Sequence, residues 1–158
     1  MDATQKKNAL RKFTYGLYVA TSRDAESVAG GTINWVTQTS FDPPLIVAGI
    51  KRDSRLHQAI ENSKTFAIHV VGKSQKNLAT SFFRGASEEN GKLNGFTFAP
   101  GLTGAPILAD SPAWIECRVT DTVYGGDHTI FVAEAVEAGV RSDEEPLAIR
   151  EAGFTYAG

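Results

Sequence analysis

Apolar and polar positions alternate in short blocks, most of them of strand length. Residues 14–21, rich in β-branched and aromatic side chains, give way to a polar stretch at 22–27, which predicts a strand and a hairpin connection. Residues 28–41, largely Thr, Val, Ile and Trp, predict one long strand, ended by Pro43-Pro44 because proline supplies no ladder donor. The unbroken apolar run 45–50 predicts a strand covered on both faces. Ser54 then precedes Leu56, Ala59 and Ile60, the i, i+3, i+4 spacing of a short helix with Ser54 as N-cap and an end near Asn62 or Ser63.

Residues 65–71 predict a further strand, and Ser74 introduces a second helix over 75–83 with Leu78, Ala79 and Phe82 on one face. From Arg84 to Pro112, Gly and Pro recur among polar residues, predicting an irregular excursion with short strands near Phe96 to Phe98. In residues 113–124, Ile115, Cys117 and Val119 alternate with Glu116, Arg118 and Thr120, so one face is expected to be buried. Gly125-Gly126-Asp127-His128 turns the chain, and residues 129–138 return as the hairpin partner. Six or seven strands and two short peripheral helices result, a mainly β fold best read as an antiparallel barrel, closed or split.

Composition narrows the function. At 158 residues the chain fits a single domain over 1–158, and 42% hydrophobic with 22% charged residues is ordinary globular content. Sixteen basic against eighteen acidic residues, net −2, lack the broad positive footprint of nucleic-acid binding, so any anion site must be local. No apolar run approaches the ~20 residues of a membrane helix, and residues 1–11 carry no signal-peptide pattern. One cysteine, Cys117, suits a reducing compartment, so a cytoplasmic location is expected, and its strand position predicts a buried, inert thiol.

A local anion site has a candidate. Lys51, Arg52, Ser54, Arg55 and His57 cluster at the predicted helix start, where free N–H groups and the macrodipole favour a phosphate; the same residues fit an N-cap beside solvated charge. Just before it, residues 32–40 interleave amides and hydroxyls with apolar side chains, the composition of a pocket for a flat heteroaromatic ligand and equally of a strand with one wet face. His69 falls mid-strand and reads as a core histidine, and no His or Cys spacing predicts a metal.

The order of these pieces carries more than any one of them. Residues 34–45 (Asn-Trp-Val-Thr-Gln-Thr-Ser-Phe-Asp-Pro-Pro-Leu), 51–57 (Lys-Arg-Asp-Ser-Arg-Leu-His), 79–85 (Ala-Thr-Ser-Phe-Phe-Arg-Gly) and 126–131 (Gly-Asp-His-Thr-Ile-Phe) follow one another as they do in the flavin reductase family, which the chain resembles from about Ala9 to Gly158. The resemblance implies an FMN-binding split barrel of Greek-key antiparallel strands. Thr32, Asn34, Trp35, Thr37 and Gln38 would border the isoalloxazine ring. Lys51, Arg52, Ser54, Arg55 and His57 would meet the phosphate or ribityl chain, and Ser81, Phe82 and Arg84 would close the site. His128 would position the nicotinamide. The resemblance implies FMN as the cofactor, with FAD as the alternative and NAD(P)H as co-substrate; Trp35 is bulkier than usual in the family, which counts against FAD.

The implied activity is hydride transfer from NAD(P)H to flavin, with electrons passed to a free flavin, an oxygenase or a redox protein. The alternative is a flavin-binding electron-transfer module reduced by a partner protein. The resemblance also implies a homodimer.

Overall fold

The structure, a computed structural model, describes residues 1–158. The strands are β1 (Tyr18–Arg23), β2 (Val28–Ile33), β3 (Val36–Phe41), β4 (Pro44–Lys51), β5 (Thr65–Val70), β6 (Glu88–Glu89), β7 (Lys92–Leu93), β8 (Phe96–Pro100), β9 (Pro106–Leu108), β10 (Ala113–Tyr124) and β11 (His128–Val140). The helices are α1 (Ala3–Leu10), α2 (Arg55–Ser63) and α3 (Lys76–Ser81). A seven-stranded sheet runs β2-β1-β5-β10-β11-β4-β3 with every neighbouring pair antiparallel, as the alternation predicts. None of the helices is long and apolar enough to cross a membrane.

The expected single strand over 28–41 is two strands. β2 pairs with β1 at one edge of the sheet and β3 pairs with β4 at the other, so the chain breaks at Asn34-Trp35 to pass between edges. Laid flat, edges of seven strands at ~4.8 Å spacing would stand about 29 Å apart, whereas the three Cα steps from Ile33 to Val36 reach at most about 11 Å. The sheet must therefore curl until its edges meet. No ladder joins β2 to β3, so it is not a closed barrel.

Strand alternation sorts the core into two sides. Ala20, Ile46, Ala48, Ile50, Phe66, Ile68, Cys117 and Phe131 pack together with Leu56 and Ile60 of α2. On the other side Val19, Val28, Leu78 and Phe82 pack with Leu93, Leu108, Leu147 and Ile149, which draws in α3, the small sheet and the C-terminal segment. β4 shows the division clearly: Ile46, Ala48 and Ile50 are buried, while Leu45, Val47 and Gly49 are only half-buried.

α2 forms as its spacing predicts. Ser54 caps it by accepting from His57 N at 3.1 Å, and Lys64 ends it in the left-handed region at φ 60°. α3 is shorter than expected, and Gln75 rather than Ser74 precedes it, without a side-chain cap. α1 has no counterpart among the sequence expectations, because none of its residues is buried and no apolar stripe marks it.

The expected irregular stretch after Arg84 is a four-stranded sheet, β6-β7-β8-β9. Its strands are too short to show alternation. The readable signal was in its turns: Asn90-Gly91 and Asn94-Gly95 hold φ of 51°, 71°, 48° and 87°, the positive-φ pairs that tight hairpins require. The strand at β10 also departs from simple alternation, since Glu116 is as buried as Cys117. Its carboxylate accepts from Leu102 N and Thr103 N, both at 2.8 Å, and from Thr103 Oγ1 at 2.6 Å, which makes the burial tolerable.

Candidate functional site

Two register partners organise the site. In the β11–β4 ladder His128 lies opposite Lys51, so the Gly-Asp-His turn and the start of α2 are neighbours although about half the chain separates them. Arg52 ties them further: its N donates to Asp127 O at 3.0 Å and its Nη1 to Gly126 O at 3.4 Å.

On one side of this junction is an aromatic cluster. Trp35 packs against β4, where an added Cβ at Gly49 would come within 3.3 Å of the indole, so glycine there makes room for it. The Trp35 ring stands 4.6 Å from the His128 ring and 5.4 Å from that of Tyr156. His128 Nδ1 donates to Asp127 Oδ1 at 2.9 Å, and its Nε2 lies in hydrogen-bonding contact with the Tyr156 hydroxyl at 3.0 Å. The His128 bond holds the Asp127 carboxyl below its ordinary range. Asn34, buried, donates from Nδ2 to Tyr156 O at 3.1 Å and so fixes the tail that brings Tyr156 in. Trp35 Nε1 is buried without a hydrogen-bond partner.

On the other side is the start of α2. Arg52, Asp53, Ser54, Arg55, His57, Gln58 and Glu61 line a shallow, wholly polar depression of about 510 Å³. Lys51 Nζ is exposed and 3.2 Å from Asp53. Ser54 Oγ is engaged twice, accepting from His57 N and donating to Lys51 O at 2.7 Å. Arg55 turns toward the β1–β2 loop, where Nη1 and Nη2 grip Asp24 at 2.9 and 2.5 Å; that pairing raises the guanidinium and pulls the Asp24 carboxyl well below the usual carboxylate range. His57 points inward, 2.7 Å from Thr129 Oγ1 and over Phe131, and burial pushes its imidazole down.

The remaining expected contacts divide. Thr32 joins β2 to α3, its Oγ1 donating to Ala79 O at 2.5 Å and its N to Phe82 O at 3.3 Å. Phe82 is fully buried against Phe96, 6.0 Å away, and under Gly30. Ser81 is exposed at the end of α3 and Arg84 just beyond it, and Thr37 and Gln38 are exposed on the edge strand β3. The structure thus draws Asn34, Trp35, Lys51, Arg52, Ser54 and His128 around one junction, and groups Thr32 with Phe82 around α3.

Tyr156 is the member that sequence reasoning missed. Nothing in its local pattern marks it, because its role comes from the tail folding back onto Asn34. The two other candidates resolve simply: Cys117 is buried, with its thiol pushed up to about 12 by burial, and His69 is wholly enclosed.

Comparison with known proteins places the chain in a family. The family described as flavin reductase like domain matches residues 10–158. The NADH-dependent flavin reductase StyB of Pseudomonas fluorescens is 32% identical over 147 residues, covering 92% of this chain and 84% of that protein. The FMN reductase (NADH) SmoA of Agrobacterium fabrum is 34% identical over 149 residues, 94% of this chain and 82% of SmoA. Among solved structures, the NADH:FAD oxidoreductase SgcE6 of Streptomyces globisporus superposes with a TM-score of 0.79 at 29% identity, over 93% of this chain and 88% of SgcE6. Motif order, curled antiparallel sheet and a match over nearly the whole length agree: the chain belongs to the flavin reductase like domain family.

Proposed function

We propose that the protein is an NAD(P)H-dependent flavin reductase that binds FMN at the junction of β4 and β11, within one split-barrel domain. The observation that carries this reading is the pairing of His128 with Lys51, which sets an aromatic cluster beside a basic helix start. A flavin mononucleotide has those two ends, a flat ring and a phosphate. Two features of the chain fit the group. Trp35 Nε1 is a buried donor lacking an acceptor, and the start of α2 offers N–H groups and cations to an anion.

FMN, when bound, supplies the two-electron chemistry that takes hydride from NAD(P)H and passes the electrons to an acceptor. The chain's own residues bind and orient. Trp35 gives a rigid aromatic wall backed by Gly49, Asn34 anchors the tail, and His128, locked by Asp127 and Tyr156, shapes the face open to the nicotinamide. Lys51, Arg52 and the Ser54-capped helix start hold the phosphate. Thr32, Thr37, Gln38, Ser81 and Arg84 form the outer border, with Arg55, His57 and the fully buried Phe82 as braces beneath it. An oxygenase component or a redox protein would take the electrons, and a homodimer would cover exposed Phe41, Tyr124 and Ile130.

Anaerobic mixing of the FMN-loaded protein with NADH and with NADPH tests the reading. Bleaching of the flavin absorbance by at least one nucleotide within seconds is expected. Failure of both to bleach it, with reduction only by a partner protein, would favour the electron-transfer module instead.

A further inference from the structure

A cavity of about 550 Å³ is formed where the segment after α1 meets the C-terminal tail. This volume lies within the range of about 300–1,000 Å³ usual for small-molecule sites. Its wall is chemically one-sided. Arg11, Lys12 and Arg150 line it with no Asp or Glu among the lining residues, and none of the three takes part in an ion pair. Backbone carbonyls hold two of them in place instead: Arg11 Nε donates to Ala157 O at 3.3 Å, and Arg150 donates to Arg11 O. In a chain of net charge −2, three cations outside any ion pair make this wall locally electropositive.

Beside the cations are aromatic faces. Phe13 is 61% exposed and stacks on Tyr15 with ring centroids 6.4 Å apart. Tyr156 completes the wall, and it is the same Tyr156 whose hydroxyl meets His128 and whose ring meets Trp35. The cavity is therefore contiguous with the aromatic end of the proposed flavin site.

We propose that this cavity takes the nucleoside-diphosphate arm of a dinucleotide, the part that NAD(P)H and FAD share and FMN lacks. Arg and Lys recognise the diphosphate and Phe13 and Tyr15 offer a stacking face to the base, while Tyr156 marks where the arm passes to the reacting rings. The identification of those rings rests on the flavin reductase reading; the cavity's recognition of a nucleoside diphosphate does not.

Calorimetric titration of the flavin-free protein with ADP tests it, using Lys12→Glu and Phe13→Ala as variants, both at exposed positions. The wild type is expected to bind ADP with an affinity that weakens as salt is added, Lys12→Glu to lose at least about tenfold, and Phe13→Ala about fivefold. FMN affinity should stay within about twofold in both variants, since FMN has no such arm. A raised KM for NADH or NADPH at unchanged kcat assigns the arm to the nicotinamide nucleotide; weakened FAD binding with FMN unchanged assigns it to FAD. No ADP binding by the wild type, or ADP affinity unaltered in both variants, overturns the proposal. Failure of the wild type to bind FMN while it binds ADP would count against the flavin reading alone.

Discussion

The surroundings of His69 and of His128 answer a histidine in contrasting ways. His69 is fully buried, and both ring nitrogens meet backbone: Nδ1 donates to Val19 O at 2.9 Å and Nε2 accepts from Leu108 N at 3.0 Å. A second proton would have to sit between Nε2 and the Leu108 N–H, so burial and geometry together hold the ring neutral, with its pKa pushed down to about 4. His128 is half-buried and meets only side chains, Asp127 and Tyr156, beside an indole whose N–H has no partner. A histidine satisfied by backbone is a fastener between β1, β5 and β9. One held by side chains, in a cluster with spare hydrogen-bonding capacity, is suited to meeting a ligand.

The largest expected effect lies at the fastener and is read through pH. Because His69 has a folded pKa below its unfolded value of about 6.5, the unfolded chain binds more protons between those values. Its contribution is complete above pH ~6.5 and is lost as pH falls toward about 4, by up to about 3 kcal/mol. Urea unfolding at pH 7 and pH 5 should show this loss, and His69→Leu should flatten it while costing about 1–3 kcal/mol at pH 7 for the unpaired Leu108 N–H. An equally steep profile in His69→Leu would show that other groups govern it.

At the cluster around Trp35 and His128, the proposed flavin site, the expectation has the opposite character. Trp35→Phe keeps the aromatic wall and removes the unpaired buried donor, so thermal stability without flavin should hold or rise. Flavin affinity should fall by up to about tenfold, the worth of one hydrogen bond. If fluorescence titration finds affinity within twofold of wild type, the orphaned N–H does not meet the flavin. A smaller effect attends Ser54→Ala, which removes the cap of α2: stability should drop by about 1 kcal/mol, and FMN affinity should fall more than that for riboflavin, which has no phosphate. Equal weakening of both ligands would detach the helix start from the phosphate.

The smallest expected effect is at Cys117. With its thiol buried and raised to about 12, the native protein should resist a thiol reagent at pH 8 and label only on unfolding, with NADH turnover unchanged by the exposure. Rapid labelling of the native protein would show that this part of β10 opens.

Legibility followed range along the chain. The cap and buried face of α2 depend on neighbours three and four residues away, so Ser54, Leu56, Ala59 and Ile60 announce them. The basic cluster from Lys51 to Arg55 is likewise contiguous, whereas the direction of Arg55 depends on Asp24, supplied by another loop. The break at Asn34-Trp35 is marked only by one strand-disfavoured Asn among strand-forming neighbours, because it is imposed by edges of a curled sheet meeting. In the four-stranded sheet, Asn-Gly turns carried the signal that strands of two to five residues could not.

By itself, then, the order of residues determined the antiparallel β character, the capped helix with its cations, and a motif succession specific enough to place the family. Those are properties of local sterics, hydrogen bonding and side-chain alternation. Only the tertiary structure decided that His128 faces Lys51, that Trp35 is walled by Tyr156 from the tail, and that Arg11, Lys12 and Arg150 converge on one cavity. Each of these joins residues more than ninety positions apart in some pair or seventy-seven in the ladder. Their proximity is set by strand register, by the curl of the sheet and by the C-terminal segment folding back on the chain, which no local pattern encodes.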